Sequence, residues 1–154
     1  MISLIIYDFD VVMTNNCVMI DQFGHESAIV NRSDGLAVSE IKKLKIKQII
    51  ISTEINEVVE RRAEKLGIQC IHGVKNKRNI VEQYLLEHNI DRNSVLYIGN
   101  DINDIEAMNY VGFPISPKDA HSSIRNISKY VTESKGGEGV IREVLDYLIE
   151  NKMV

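Results

Sequence analysis

Short apolar runs that can form buried strands alternate along this chain with segments of helical period. The strand-like runs cover residues 4–7, 48–51, 69–71, 95–98, 113–115 and 130–131. Between them, apolar residues recur at three- and four-residue steps over residues 37–44, 56–66, 80–88, 103–110 and 140–149. This alternation predicts an α/β fold, a doubly wound parallel sheet with helices on both faces.

One segment breaks the alternation. Residues 17–30 contain two short strand-like arms around the turn sequence DQFG, a pattern typical of a β-hairpin. We expect this hairpin to project from the end of the first strand as a small flap. No interval between the strands is long enough to hold a further domain, so residues 1–154 are expected to form a single domain.

Composition and charge narrow the class of partner. The 154 residues carry a formal net charge of −4, with no tryptophan and no basic block, which argues against a nucleic-acid partner. No stretch approaches the ~20 apolar residues of a membrane-spanning helix, so no membrane partner is expected. The start of the chain does not read as a signal peptide. Cys17 and Cys70 lack the spacing of a disulfide framework or a zinc site, and we expect two buried thiols in a cytoplasmic protein.

Polar residues follow the strands at the edge of the sheet where α/β proteins bind ligands. After the first four strands of the predicted sheet come, in order, Asp8 and Asp10, then Ser52, Thr53 and Glu54, then Lys75 and Lys77, and finally Asn100, Asp101 and Asp104. Each of these alone is ordinary as a helix cap, a turn residue or a surface lysine. Their succession, each at a strand end, favours a functional site.

Phosphoryl transfer is the chemistry that such a set of residues suits. Carboxylates on one edge repel each other unless a cation lies among them, and hard oxygen ligands suit Mg²⁺. A metal, a lysine and a hydroxyl together offset the charge of a transferring phosphoryl group. An aspartate can serve as the nucleophile and form an acyl phosphate.

The same residues resemble the four motifs of the haloacid dehalogenase superfamily of phosphatases: DFDVVMT, IIST, the Lys77 loop and GNDIND. Other segments are similar to its sugar-acid phosphatase branch, which includes 3-deoxy-D-manno-octulosonate 8-phosphate phosphatase, nononate 9-phosphate phosphatase and the domain attached to some acylneuraminate cytidylyltransferases. These segments are NRSDG, STEIN, RRAEKLGI, GNDINDIEAM, KDAHSSI and KGGEGVIRE. The resemblance spans nearly the whole chain.

The resemblance implies a catalytic role for four residues. Asp8 would be the nucleophile, and Asp10 would protonate the leaving alkoxide and then activate water. Ser52 would hydrogen-bond the phosphoryl group. Lys77 would offset charge on the aspartyl phosphate.

The resemblance also implies a Mg²⁺ site. Its ligands would be Asp8, the carbonyl of Asp10, and Asn100 or Asp101, with Asp101 or Asp104 supporting them from behind. Many relatives have aspartate at position 100, so the neutral Asn100 is expected to bind Mg²⁺ less tightly.

Val11 is a second departure from the family pattern, because the family has glycine after the second aspartate. A β-branched side chain stiffens the turn beside the nucleophile and could crowd the phosphate. Val11 and Asn100 together keep open an alternative, a catalytically weakened oligomerisation or regulatory domain associated with an acylneuraminate cytidylyltransferase. A phosphoacceptor receiver domain fits less well, since its acceptor aspartate ends a middle strand.

Substrate contacts are implied for Thr53, Glu54, Arg62 and Lys65. Arg62 and Lys65 lie three residues apart on one predicted helix face, where a surface ion-pair ladder is the alternative. Two cations there suit the carboxylate of a sugar acid. The implied substrate is a 3-deoxy-ulosonate phosphate with eight or nine carbons.

Assembly is the last expectation. Superfamily members that act on small metabolites usually cover the site with a cap domain inserted after the first or second motif, and neither interval here is long enough to hold one. The resemblance therefore implies a single capless domain whose site stays open to water, whereas charge interactions strengthen when water is excluded. We therefore expect a homo-oligomer, a tetramer as in the resembled phosphatases, with the hairpin at the interface. We also expect no nucleotidyltransferase domain in this chain.

Overall fold

A computed structural model describes all 154 residues. Its strands are β1 (Leu4–Tyr7), β2 (Thr14–Ile20), β3 (Glu26–Val30), β4 (Lys47–Ile51), β5 (Gln69–Ile71), β6 (Val95–Ile98), β7 (Phe113–Ser116) and β8 (Tyr130–Val131). Six of them form one sheet in the order β5-β4-β1-β6-β7-β8, in which every neighbouring pair is parallel. The predicted fold class is therefore confirmed.

Helices cover both faces of this sheet. They are α1 (Arg32–Lys43), α2 (Val58–Leu66), α3 (Lys77–Glu87), α4 (Ile105–Tyr110), α5 (Ser122–Ile127) and α6 (Val140–Glu150). Apolar residues of α1, α2 and α6 share one buried cluster with the sheet, and those of α3, α4 and α5 share the other. No helix in the structure combines the length and apolar character needed to cross a membrane.

The central strands explain where the site lies. All residues of β1 and β6 are buried, and successive side chains of β1 enter opposite clusters, because strand side chains alternate between faces. From β1 the chain builds β4 and β5 on one side and then crosses to β6 on the other. The carboxyl ends of β1 and β6 thus form the topological switch point, where open α/β sheets bind ligands.

Two helices depart from the sequence-based expectation. Helix α1 begins at Arg32, five residues before the predicted start, because the Asn31 side chain caps it by accepting a 2.8 Å hydrogen bond from the Ser33 amide. The first turn is polar and includes Gly35, so it lacks the apolar period that marks a helix. Helix α5 was not predicted, since Ile124 is its only buried residue.

Strands β2 and β3 form the predicted hairpin as a separate antiparallel pair. It displays several large apolar side chains to solvent, namely Val18, Met19, Ile20, Phe23 and Ile29. Cys17 also lies on this hairpin and is exposed, and Cys70 is only half-buried. The expectation of two buried thiols is wrong for Cys17, because both faces of this two-stranded ribbon meet solvent.

Candidate active site

Asp8 and Asn100 meet at the switch point because their strands are neighbours. The amide of Asp8 donates to the Ile98 carbonyl (2.9 Å), which continues the pairing of β1 with β6 by one residue. Gly99 precedes Asn100 where there is no space for a side chain, since a β-carbon would lie 2.8 Å from the Asp104 carboxyl carbon. The backbone after β6 can therefore fold closely over Asp104.

Lys77 joins two buried carboxylates. Its ammonium lies 2.8 Å from Asp8 Oδ2 and 2.7 Å from Asp104 Oδ1, and all three side chains are almost fully buried. Asn76 positions the lysine by capping α3, of which Lys77 is the first residue, through a 2.9 Å hydrogen bond from the Asn79 amide. The structure thus places Lys77 against Asp8, as predicted for a site residue, and not at the surface.

Asp104 organises the loop after β6. Its Oδ2 accepts hydrogen bonds from the amides of Asn100 (2.9 Å) and Asp101 (3.3 Å), and its Oδ1 accepts one from the Tyr97 hydroxyl (2.8 Å). Sequence reasoning overlooked Tyr97. The available signal was a tyrosine in an otherwise apolar buried strand, because a buried hydroxyl requires a partner.

The charges of this cluster do not balance. Two carboxylates share one ammonium, so the ionised group keeps one negative charge in excess. Burial raises the pKa of Asp8, the Asp104 carboxylate raises it further, and Lys77 opposes them. Burial lowers the pKa of Lys77, but Asp8 and Asp104 outweigh it and the pKa is raised overall, which keeps the ammonium charged. A second cation beside Asp8 would favour its ionised form.

Three oxygen donors converge where such a cation would sit. One end of the Asn100 side-chain amide lies 2.9 Å from Asp8 Oδ2 and 3.1 Å from the Asp10 carbonyl oxygen. With nitrogen at that end the amide donates to both oxygens, and with oxygen there three oxygens face one another. Neighbouring ligands of an octahedral Mg²⁺ lie about 3 Å apart, because Mg–O bonds are about 2.0–2.1 Å long. The donor set therefore fits Mg²⁺.

Asp101 takes a different position from Asn100. It is exposed, and its carboxylate accepts a 2.7 Å hydrogen bond from the Ile102 amide, which caps the 3₁₀ turn Ile102–Asp104. The geometry favours Asn100 over Asp101 as the ligand that faces Asp8.

Asp10 lines a cavity that opens beside Asp8. Burial raises its pKa, and the Glu54 carboxylate adds to the rise. The Thr14 hydroxyl is 3.5 Å from Asp10 Oδ1. A raised pKa favours the protonated form that a general acid needs. The next residue, Val11, has a backbone φ of 61°, which is the left-handed region that glycine adopts readily and a β-branched residue resists.

Of the predicted site residues after β4, Thr53 lines this cavity, whereas Ser52 and Glu54 do not. Ser52 is buried and its hydroxyl accepts a 3.1 Å hydrogen bond from the Glu54 amide. Glu54 accepts hydrogen bonds from the amides of Ile55 and Asn56, both at 2.8 Å. A cavity of about 300 Å³ is lined by Asp8, Asp10, Asn16, Thr53, Asn100, Asp101, Ile102 and Asn103.

Arg62 and Lys65 lie elsewhere. With Arg32 they line a second cavity, of about 420 Å³, between α1 and α2, and this α1–α2 groove shares no lining residue with the cavity at Asp8. The Arg62 guanidinium donates to the Asn31 carbonyl (3.0 Å), so it is anchored to the start of α1. Within one chain the structure does not bring these two cations to the strand ends.

Comparison with known proteins agrees with these features. The family model of haloacid dehalogenase-like hydrolases matches residues 36–144. The 3-deoxy-D-manno-octulosonate 8-phosphate phosphatase of Yersinia pestis is 32% identical over 149 residues, which cover 96% of this chain and 80% of the relative. Zebrafish N-acylneuraminate cytidylyltransferase A is 26% identical over 89% of this chain, but the chain spans only 32% of that protein.

A solved structure extends the comparison to the fold. The 3-deoxy-D-manno-octulosonate 8-phosphate phosphatase of Moraxella catarrhalis, crystallised with magnesium, phosphate and 3-deoxy-D-manno-octulosonate, superimposes with a TM-score of 0.93 at 29% identity. The match covers 97% of this chain and 86% of that one. The predicted resemblance and the predicted phosphomonoesterase class are thereby confirmed. The chain belongs to the haloacid dehalogenase-like hydrolases, in their sugar-acid phosphatase branch.

Proposed function

We propose that this chain is a Mg²⁺-dependent phosphatase that acts on a 3-deoxy-ulosonate phosphate through an aspartyl-phosphate intermediate. The observation that carries the proposal is the buried Asp8–Lys77–Asp104 cluster, next to which the Asn100 side chain lies 2.9 Å from Asp8 Oδ2 and 3.1 Å from the Asp10 carbonyl oxygen. Asp8, Asp10 and Asn100 would hold the metal. When bound, Mg²⁺ would offset charge on the transferring phosphoryl group.

The protein's own residues account for both half-reactions. The Asp8 carboxylate attacks phosphorus, the bond from phosphorus to the sugar oxygen breaks, and the leaving alkoxide takes the proton of Asp10. Water then attacks the phosphorus of the acyl phosphate while the Asp10 carboxylate takes its proton, which releases phosphate and regenerates Asp8. Lys77 offsets charge beside Asp8, and Ser52 donates a hydrogen bond to the phosphoryl group.

Ulosonic acids with eight or nine carbons are the substrate class that we propose. Thr53 lines the cavity, and Glu54 lies close enough to raise the pKa of Asp10. Arg62 and Lys65 suit the carboxylate of the substrate. Since the α1–α2 groove is separate from the cavity at Asp8, we infer that these two cations reach the substrate from a neighbouring subunit.

A homotetramer built on the hairpin would provide that neighbour. Phe23 is 76% exposed and Met19 is 71% exposed at the tip and edge of the hairpin, and an apolar surface of this kind is typical of a protein interface. The Asn56 side-chain amide donates to the Glu26 carboxylate of β3 (3.3 Å), which ties the hairpin to the loop after β4. We expect a tetramer by sedimentation and a smaller species after Phe23→Asp, and a monomeric parent at micromolar concentration would contradict this assembly.

A screen for phosphate release tests the activity. The substrates are eight- and nine-carbon ulosonate phosphates and N-acetylneuraminate 9-phosphate, each with Mg²⁺ or with a chelator. We expect release that requires Mg²⁺ and disappears in Asp8→Asn, because an amide cannot accept the phosphoryl group. Activity on none of them would overturn the proposal.

The strained turn at Val11 supports the second candidate, a weakened regulatory domain associated with a cytidylyltransferase. A left-handed valine costs on the order of 1–3 kcal/mol and follows the proposed acid directly. Val11→Gly in the same screen separates the two candidates. A large gain from a parent with little or no activity would identify the turn as the cause of the lost activity, and activity in the parent that Val11→Gly does not increase would exclude this candidate.

A further inference from the structure

The turn that carries Asp10 is contacted by a loop from the far end of the chain. This loop, residues 135–139, is the second part of the connection between β8 and α6 and is here called the clamp loop. The Gly137 amide donates to the Val12 carbonyl (3.1 Å). Gly136 packs flat on the Val11 backbone, so that a β-carbon at position 136 would overlap the carbonyl oxygen and carbon of Val11.

The hydrogen bonds donated by the Val11 and Val12 backbone amides are long. The Val11 amide has only the Thr14 hydroxyl as partner, at 3.4 Å, and the Val12 amide donates to the Phe9 carbonyl at the same distance. A disfavoured backbone conformation persists only when its surroundings hold it. Inside the turn, the Met13 amide donates to the same Phe9 carbonyl at 2.9 Å and closes the chain around Val11. Contacts from the clamp loop add to this bond in holding Val11 at a φ of 61°.

The clamp loop is itself anchored on two sides. Asp119 accepts a 2.9 Å hydrogen bond from the Gly136 amide, and the Asn31 side chain donates to the Gly137 carbonyl (3.2 Å). Gly137 has a φ of 74°, and a β-carbon there would lie 2.7 Å from the Asn15 amide nitrogen. Glycines at 136 and 137 are thus required for the loop to lie against the turn.

We propose that Gly136 and Asp119 are positioning residues for Asp10. The peptide that joins Asp10 to Val11 contains the Asp10 carbonyl, which lies 3.1 Å from the Asn100 amide. A shift of the Val11 carbonyl therefore moves both the carbonyl that faces the metal position and the carboxyl that protonates the leaving group. The proposal rests on the proposed function for the second effect only.

Gly136→Ala tests the clamp through the leaving group. Nitrophenolate departs without a proton, whereas the alkoxide of 3-deoxy-D-manno-octulosonate 8-phosphate needs one. We expect kcat to fall about 100-fold on the sugar phosphate and less than about 10-fold on p-nitrophenyl phosphate, since general acid catalysis contributes roughly 10²–10⁴-fold. An equal loss on both substrates would overturn the proposal.

Gly112→Ala is the matched control. A β-carbon at Gly112 would overlap the Asn93 carbonyl oxygen just as severely, but Gly112 precedes β7 at the opposite edge of the sheet. We expect a comparable loss of stability with no difference between the two substrates. The same discrimination between substrates in Gly112→Ala would count against a positioning role for Gly136.

Asp119 gives a second test that spares the fold, because this side chain is exposed. Asp119→Ala removes the acceptor for Gly136, and we expect about a tenfold loss on the sugar phosphate. Asp119→Asn keeps an acceptor oxygen and should restore most of it. No loss in Asp119→Ala, or an equal loss in both variants, would contradict the clamp.

Mg²⁺ binding separates this inference from the proposed function. The rise of the melting temperature with Mg²⁺, measured without substrate, should need about tenfold more metal in Gly136→Ala than in the parent. If the parent shows no turnover and Gly136→Ala still needs about tenfold more Mg²⁺ than the parent, the clamp is supported and the proposed phosphatase activity is overturned. Unchanged Mg²⁺ dependence in Gly136→Ala, or a parent that does not respond to Mg²⁺, would overturn the clamp.

Discussion

The cluster around Asp8 and the α1–α2 groove both bury charge, but they differ in how completely the chain partners it. In the cluster, both oxygens of Asp104 and the Lys77 ammonium have close partners. In the groove region, Asp34 Oδ2 and Arg62 Nε are buried without a partner in the chain. The chain's own groups therefore satisfy the first arrangement more completely than the second.

The difference indicates which parts of the site one chain can build alone. The Asp8 cluster lies on strand ends that the sheet fixes, and needs only a cation to balance its charge. The groove presents Arg32, Arg62 and Lys65 with no carboxylate among its lining residues. We read the first as a preorganised reaction centre and the second as a surface that a ligand or a neighbouring subunit completes.

Lys77→Met should produce the largest effect, because it disrupts the Asp8 cluster. Two buried carboxylates would lose their shared cation, which typically costs about 3–5 kcal/mol. We expect turnover to fall at least about 10³-fold, together with a lower free energy of unfolding in urea. Lys75→Met, at the exposed lysine two residues earlier, is the control. A similar outcome for both variants would refute the central role of Lys77.

Arg62→Ala should weaken binding at the α1–α2 groove and leave the Asp8 cluster intact. Loss of a charged hydrogen bond costs about 1.5–3 kcal/mol, so KM for a nine-carbon substrate should rise roughly ten- to hundredfold. KM for p-nitrophenyl phosphate should stay within about twofold. The control is Arg61→Ala, because Arg61 is exposed and pairs with Glu57 and Glu64. Equal effects of Arg62→Ala on both substrates would argue against a substrate contact.

Mixed tetramers sharpen the same comparison. One subunit type carries Asp8→Asn and the other Arg62→Ala, and the two are refolded together. If Arg62 acts on the neighbour's substrate, an intact Asp8 and an intact Arg62 meet in some interfaces, and activity at low substrate concentration should exceed that of either variant alone. Activity no higher than the sum of the separate variants would show that Arg62 does not act across the boundary.

Asn100→Asp should add to the excess negative charge of the Asp8 cluster. An added carboxylate raises affinity for the cation, and we expect half-saturation at about tenfold lower Mg²⁺. The measurement is the melting temperature as a function of Mg²⁺, with turnover measured in parallel. Asn103→Asp adds the same charge to an exposed residue of the same cavity. Equal shifts in both variants would show a general charge effect rather than a ligand at position 100.

The two regions also differ in how far the sequence predicts them. Asp8, Lys77 and Asn100 were placed together because polar residues that follow buried parallel strands must meet at one edge of the sheet. The surroundings of Arg62 were not predictable, because they depend on the start of α1, which has no apolar period. The left-handed backbone of Val11 was also not predictable, since residues more than a hundred positions later in the chain help to hold it.

Asp34 gives the smallest effect, through the pH dependence of stability. Burial raises its pKa to about 6, against hydrogen bonds from the Ile141 and Arg142 amides and the charge of Arg62, which lower it. Burial raises the pKa of the Tyr7 hydroxyl, and the Asp34 carboxylate raises it further. The folded state holds the proton more tightly than the unfolded chain, whose aspartates titrate near pH 3.9. Stability should therefore fall as the pH rises from about 4 to 6, and stay lower above that range.

Asp34→Asn removes the ionisation while its amide oxygen can still cap α6. The variant should lose the fall in stability between pH 4 and 6 and unfold with a free energy about 1–2 kcal/mol higher at pH 8. Urea unfolding at several pH values measures this. Asp146→Asn, on the exposed face of α6, should keep the slope of the parent. If Asp34→Asn also keeps that slope, Arg62 already neutralises the carboxylate in the folded state, and the expected contribution of Asp34 is wrong.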